Sequence, residues 1–116
     1  MSDTNCLFCK IAAKQIPSSV VHEDDLVVAF RDIAPQMPVH VLIVPKAHLS
    51  GLDGLGPEDR ELVGHIALVG QKLARELGVA ERGYRLVANC GPDSGQTVFH
   101  LHFHLLGGGP MAGKMV

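Results

Sequence analysis

Apolar residues recur at two different spacings along the chain, and the spacing divides it into elements. Leu62, Ile66, Val69, Leu73 and Leu77 step by three and four, the period that lays one stripe of a helix against a core. Pro57 suits the first helical position, Glu58, Asp59 and Glu61 lie where the positive end of the helix dipole favours acids, and Gly78 supplies a stop. One long helix is therefore predicted from Pro57 onward. Elsewhere the runs are shorter and rich in β-branched residues. Residues 20–22 and 26–31, separated by the acidic turn Glu23-Asp24-Asp25, read as a hairpin. The prolines of Ala34-Pro35-Gln36-Met37-Pro38 bar regular structure, and residues 40–44 after them form a continuous apolar run closed by Pro45, which reads as a central strand buried on both sides. Residues 84–89 and 98–106 read as two more strands around a Gly- and Pro-containing loop, residues 90–96. Residues 7–13 give a short helix, ended by Ile16-Pro17 because the residue before proline is pushed out of the α region.

This order of elements predicts an α+β domain with a mainly antiparallel sheet. A length of 116 residues fits a single domain over residues 1–116. Charged residues make up 19% and apolar ones 47%, as in ordinary globular proteins. The formal charge of −2 comes without a basic block, so the chain lacks the stripe that neutralises many phosphates, and nucleic acid is not an expected partner. A small anionic ligand stays compatible. No run approaches the roughly 18 apolar residues of a membrane span, and residues 1–5 are too few and too polar to begin a signal peptide, which makes the cytoplasm the expected address and a membrane association unexpected.

The chemistry concentrates in His100-Leu101-His102-Phe103-His104-Leu105. Strict alternation on a strand puts three imidazoles on one face, about 7 Å apart, and Leu101, Phe103 and Leu105 on the other. Three readings follow. The face is merely polar, or His102 and His104 chelate zinc with a ligand from another strand, or a central nucleophile is flanked by groups that hold its tautomer, bind phosphate oxygens and protonate a leaving group. Covalent catalysis best explains the third histidine. Gly95-Gln96-Thr97 just upstream offers backbone N–H groups, an amide and a hydroxyl to a phosphoryl oxygen. Of the three cysteines, Cys6 and Cys9 have Cys-x-x-Cys spacing, which by itself is half a zinc site, a redox pair or coincidence. Cys90, His22 and His65 stand outside these patterns and receive no role.

His100-Leu101-His102-Phe103-His104-Leu105-Leu106, preceded by Gly95-Gln96-Thr97-Val98-Phe99, resembles the signature of the histidine-triad superfamily. The likeness extends through Phe8-Cys9-Lys10-Ile11, Ile16-Pro17, Asp32-Ile33-Ala34-Pro35-Gln36, Val39-His40-Val41 and Val44-Pro45-Lys46-Ala47-His48 to Leu106-Gly107-Gly108. The paired glycines resemble the Hint branch rather than the dinucleoside-polyphosphate hydrolases, where proline is usual.

The resemblance implies a five-stranded, mainly antiparallel sheet with one long and one short helix, continued across a homodimer. It also implies hydrolysis of purine nucleoside phosphoramidates and related adenylates through a nucleotidyl-histidine, without a catalytic cofactor. By position His102 is the nucleophile, His104 and Thr97 contact the phosphate and leaving group, Gly95, Gln96 and Asn89 lie around them, and Asp32 holds the ribose hydroxyls. Phe8, Ile11, Phe30, Ile33 and Leu42 form the slot for the base, their alternative being plain core membership. His40 resembles a fourth histidine that supports the triad, the alternative being an isolated core histidine. Some bacterial members hold structural zinc at the positions of Cys6, Cys9, His48 and the first triad histidine, His100. The tail from Gly109 to Val116 departs from eukaryotic relatives, which puts the leaving-group preference in doubt. A nucleotide-binding regulator and a polyphosphate hydrolase of the same superfamily are the competing functions. The complete triad weighs against the first and the glycine pair against the second.

Overall fold

Helix α1 spans Leu7–Ala12, and strands β1 (Val20–Glu23) and β2 (Val27–Arg31) follow as an antiparallel hairpin. The acidic turn forms because the Asp24 carboxylate Oδ1 accepts hydrogen bonds from the backbone N–H groups of Leu26 (2.8 Å) and Val27 (3.0 Å), closing an Asx-type turn. Strand β3 (Val39–Pro45) is followed by short 3-10 turns at Leu52–Gly54 and Pro57–Asp59, helix α2 (Arg60–Glu76), β4 (Tyr84–Val87), a third 3-10 turn at Pro92–Ser94 and β5 (Phe103–Gly107). This computed structural model describes residues 5–111. The divergent tail beyond Met111 and residues 1–4 lie outside the described residues.

Among the described residues the five strands form one sheet in the order β1-β2-β3-β5-β4, antiparallel throughout. The α+β architecture and the antiparallel sheet expected from the sequence are those observed. β3 is the central strand, and six of its seven residues are buried. Its alternation splits the core in two. Val41 and Ile43, with Val27, Ala29 and Leu105, face Ile66, Val69 and Leu73 of α2; Leu42 and Val44, with Val28 and Phe30, face Phe8, Cys9 and Ile11 of α1. The helix stripe read from the sequence is thus the buried one.

Pro57 opens the 3-10 turn just before α2, where the Asp59 carboxylate accepts from the Gly56 N–H at 2.9 Å. At the other end Gly78 has φ of +78°, a left-handed conformation that favours glycine.

The strand predicted over residues 98–106 is shorter in the structure, because regular pairing starts only at Phe103. Phe103 pairs with Ile43, and two residues further along β3 stands Pro45, which has no N–H to extend the ladder. The chain therefore uses other bonds: the Leu101 N–H donates to the Leu49 carbonyl, and the Pro45 carbonyl accepts from the ring of His100. The predicted strand over residues 84–89 likewise ends early, at Val87.

Candidate active site

Despite the shortened strand, the alternation of the motif survives. Leu101 and Leu105 are buried on the α2 side, while the three histidines lie on the side of α1, with Phe8 edge-on to His102 at 5.0 Å and His102 5.0 Å from His104. Phe8 is there because α1 packs its apolar residues over β2 and β3.

The hydrogen bonds fix which nitrogen of each ring carries a proton. His102 Nδ1 lies 2.7 Å from the His100 carbonyl, which can only accept, so a neutral His102 carries its proton on Nδ1 and keeps a lone pair on Nε2. The backbone N–H of Gln36 donates to His40 Nδ1 at 3.0 Å, so a neutral His40 carries its proton on Nε2. That Nε2–H donates to His104 Nδ1 at 2.9 Å, which leaves His104 with an Nε2–H as its remaining donor. Burial holds the His40 ring below the ordinary histidine range, against the opposing pull of Asp32, whose carboxylate is 3.5 Å away. His104 is pushed down to about 4, first by burial and then by His102 and His40, so it is neutral near pH 7.

A cavity of about 310 Å³, within the range of small-molecule sites, opens beside these rings. It is lined by nine of the residues expected to bind nucleotide: Phe8, Ile11, Phe30, Asp32, Ile33, Leu42, Thr97, His102 and His104. Most of the wall is apolar, and Asp32 and the histidines supply polar groups. The Asp32 Oδ1 accepts from the Ala34 N–H at 2.8 Å, which orients the carboxylate. Ser18 and Arg31 also line the cavity and were not legible in the sequence, since nothing in their spacing ties them to the triad.

Three expected residues lie elsewhere. Asn89 lines a second cavity, of about 460 Å³, beside His40, His104 and Met111, rather than the slot. The amide of Gln96 ties its loop to the segment after β3, donating to the carbonyls of Ser50 (3.0 Å) and Val98 (3.1 Å) and accepting from the Gly91 N–H (2.9 Å). Gly95, with φ of +85°, ends the preceding 3-10 turn and is not part of the slot lining. Gln96 thus shapes the loop that delivers Thr97.

His100 points away from the slot into a second constellation. Its Nε2–H donates to the Pro45 carbonyl at 2.8 Å, so its Nδ1 carries a lone pair, 3.2 Å from Cys6 Sγ and 3.4 Å from Cys9 Sγ. His48 Nδ1 is 3.3 Å from Cys9 Sγ, and the four ligand atoms all lie within 4.8 Å of one another. In a tetrahedral zinc site, sulfur and nitrogen ligands are about 3.5 Å apart, so this donor set could take a metal ion with small adjustments. Cys6 caps α1, its Sγ accepting from the Cys9 N–H at 3.4 Å, which brings both thiols to one helix end. The four positions that the family resemblance implied thus lie together.

Fold and site together define a histidine-triad protein. A HIT domain profile matches residues 13–111, and the chain belongs to the HIT family. It is 45% identical, over 90% of its length and 88% of the relative's, to the purine nucleoside phosphoramidase of Escherichia coli K12. It is 49% identical to an uncharacterized HIT-like protein of Synechocystis, over 91% of this chain and 92% of that one. Among solved structures, a HIT family hydrolase from Clostridium thermocellum superposes with a TM-score of 0.96 at 46% identity, covering 99% of this chain and 100% of the other.

Proposed function

We propose that the protein is a hydrolase of purine nucleoside phosphoramidates and related adenylates, acting through a nucleotidyl-histidine on His102. The observation that carries this reading is the tautomer of His102: the His100 carbonyl holds a proton on Nδ1 at 2.7 Å, so in the neutral ring the lone pair is on Nε2, and the ring lines the slot. The base lies among Phe8, Ile11, Phe30, Ile33 and Leu42, and Asp32 accepts hydrogen bonds from the ribose hydroxyls. His104 Nε2–H and Thr97 donate to the phosphoryl oxygens.

In the first step the lone pair of His102 Nε2 forms a bond to the α-phosphorus as the bond from phosphorus to the amine breaks. The departing nitrogen takes a proton from solvent. The ring, now bearing the nucleotidyl group, is cationic, and its Nδ1–H to the His100 carbonyl becomes a charge-assisted bond. Water then attacks phosphorus, the P–N bond to His102 breaks with its electron pair returning to Nε2, and nucleoside monophosphate leaves as the water's proton passes to solvent. Because His104 is neutral near pH 7, it assists as a hydrogen-bond donor rather than as a fixed positive charge. The phosphoramidase activity carried in the name of the Escherichia coli relative supports the substrate class.

The cluster of Cys6, Cys9, His48 and His100 would hold structural zinc, which supplies no step of the reaction but ties α1 to the triad segment. The protein acts as a homodimer in the cytoplasm in this reading. Support comes from β4, an edge strand of the sheet among the described residues, and from Leu68 and Tyr84, which are exposed. Among the described residues no helix is long and apolar enough to cross a membrane.

The test is hydrolysis of adenosine 5′-phosphoramidate by the wild type and by His102→Ala, with folding checked by circular dichroism. The substitution is expected to lower kcat by on the order of a thousandfold or more. Equal activity in both proteins would remove His102 as nucleophile, and a wild type that binds AMP without turning over substrate would make the protein a nucleotide-binding regulator.

A further inference from the structure

A second histidine cluster lies away from the slot and from the cysteines. β1 contributes His22, the hairpin turn Asp24, and α2 His65, residues 41 or more positions apart in the case of the helix partner. The turn fixes the carboxylate, because both of its backbone hydrogen bonds go to Oδ1, and Oδ2 is left over. On that one oxygen converge Nε2 of His22 and Nε2 of His65, each at 2.7 Å. The three ligand atoms lie within 4.8 Å of one another, and all three residues are half-buried, so the cluster is preformed yet reachable from solvent.

We propose that His22, Asp24 and His65 form a second binding site, for a divalent transition-metal ion of the kind that prefers imidazole, with zinc as its representative and water completing the coordination. Two imidazoles and one carboxylate oxygen are a donor set for zinc, copper(II) or nickel(II), whereas calcium and magnesium take oxygen ligands throughout. Ligand atoms around such an ion are about 3.0 to 3.3 Å apart, so each ring nitrogen has to withdraw from the Asp24 oxygen by about half an ångström. Two of the ligands are held on strand and helix and the third by the turn, so little ordering accompanies binding.

The hydrogen bonds add a competitor. Lys72 Nζ lies 3.2 Å from His22 Nδ1, and since an ammonium only donates, His22 keeps its proton on Nε2. An ion needs the Nε2 lone pair. On binding, the ring's single proton therefore passes through solvent from Nε2 to Nδ1, and Lys72 must release that nitrogen. Lys72 is exposed and already 3.5 Å from Glu76, to which it can turn. Metal and Lys72 thus select opposite tautomers of His22.

The probe is zinc chloride, titrated calorimetrically into the chelator-stripped full chain as wild type, Cys9→Ser, His65→Gln and Lys72→Gln. The wild type is expected to take up about one zinc per chain in a class that does not depend on Cys9. His65→Gln, whose amide still donates to Asp24, weakens that class by at least about tenfold, while Lys72→Gln strengthens it. Equal zinc uptake and affinity in wild type and His65→Gln, or no wild-type uptake beyond what Cys9→Ser abolishes, would overturn the proposal. Should His65→Gln fail to fold, nickel(II) added to the wild type decides by NMR: broadening of the His22 and His65 ring signals supports the site, and their persistence refutes it.

Discussion

The lone pair on His102 Nε2 exists because a backbone carbonyl two residues earlier holds the ring's proton on the other nitrogen. The same logic runs along a chain from the Gln36 N–H through His40 to His104, in which each bond fixes the next tautomer. Removing the middle member breaks it. His40→Ala is expected to lower kcat/KM for adenosine 5′-phosphoramidate by about tenfold, or 1.4 kcal/mol in the barrier, with the protein folded, because His104 loses the donor that sets its outward Nε2–H. Unchanged kcat/KM would make His40 a core residue only. The depressed His104 also has a stability consequence. It takes up a proton near pH 4 in the fold but near 6.5 when unfolded, so between those values the unfolded chain binds more protons. Its stabilising contribution is complete above about pH 6.5 and is lost as pH falls through that window. Urea unfolding with chelator present should show a lower midpoint at pH 5 than at pH 7.5, and the fall should be shallower in His104→Asn. An identical fall in both proteins would assign it to other groups.

At the level of elements, period was the legible signal. The three-and-four spacing gave α2 and its buried stripe of Ile66, Val69 and Leu73, and the uninterrupted run of residues 40–44 gave the central strand β3. Alternation put the three histidines on one side even where the backbone leaves the ladder. What spacing could not report is where a ladder stops when the constraint is on the neighbouring strand: Pro45 ends the pairing of residues that themselves read as strand. Nor could it report which partner a polar side chain takes. Gln96 bonds Ser50 after β3, Asn89 faces a second cavity, and His22 and His65 meet at Asp24 through the packing of α2 near the hairpin. The helix stop read at Gly78 yields a clean test. A Cβ there would meet nothing within 4 Å, so the cost of Gly78→Ala is that of a left-handed backbone alone. It should destabilise the protein by about 1 kcal/mol in urea unfolding, with activity unchanged. No loss of stability would mean that the helix ends differently in solution.

On the scale of the molecule, the sheet carries one core on each face, and the slot opens on the face covered by α1. That side is the thinner one, since α1 has six residues against the seventeen of α2. The cluster of Cys6, Cys9, His48 and His100 fastens it, linking α1, the segment after β3 and the triad segment at one point. If zinc occupies this cluster, stripping it should lower the unfolding midpoint by about 5 °C or more, and Cys9→Ser should abolish the difference. A midpoint indifferent to chelator would show that the short helix holds without metal.

The covalent bond from His102 to phosphorus can be caught by intact mass spectrometry of protein mixed with adenosine 5′-phosphoramidate and quenched in base within the first turnover. A species heavier by one adenylyl group is expected in the wild type, mapped by peptide sequencing to His102 and absent from His102→Ala. Rapid turnover with the adduct on another residue, or in His102→Ala as well, would contradict it.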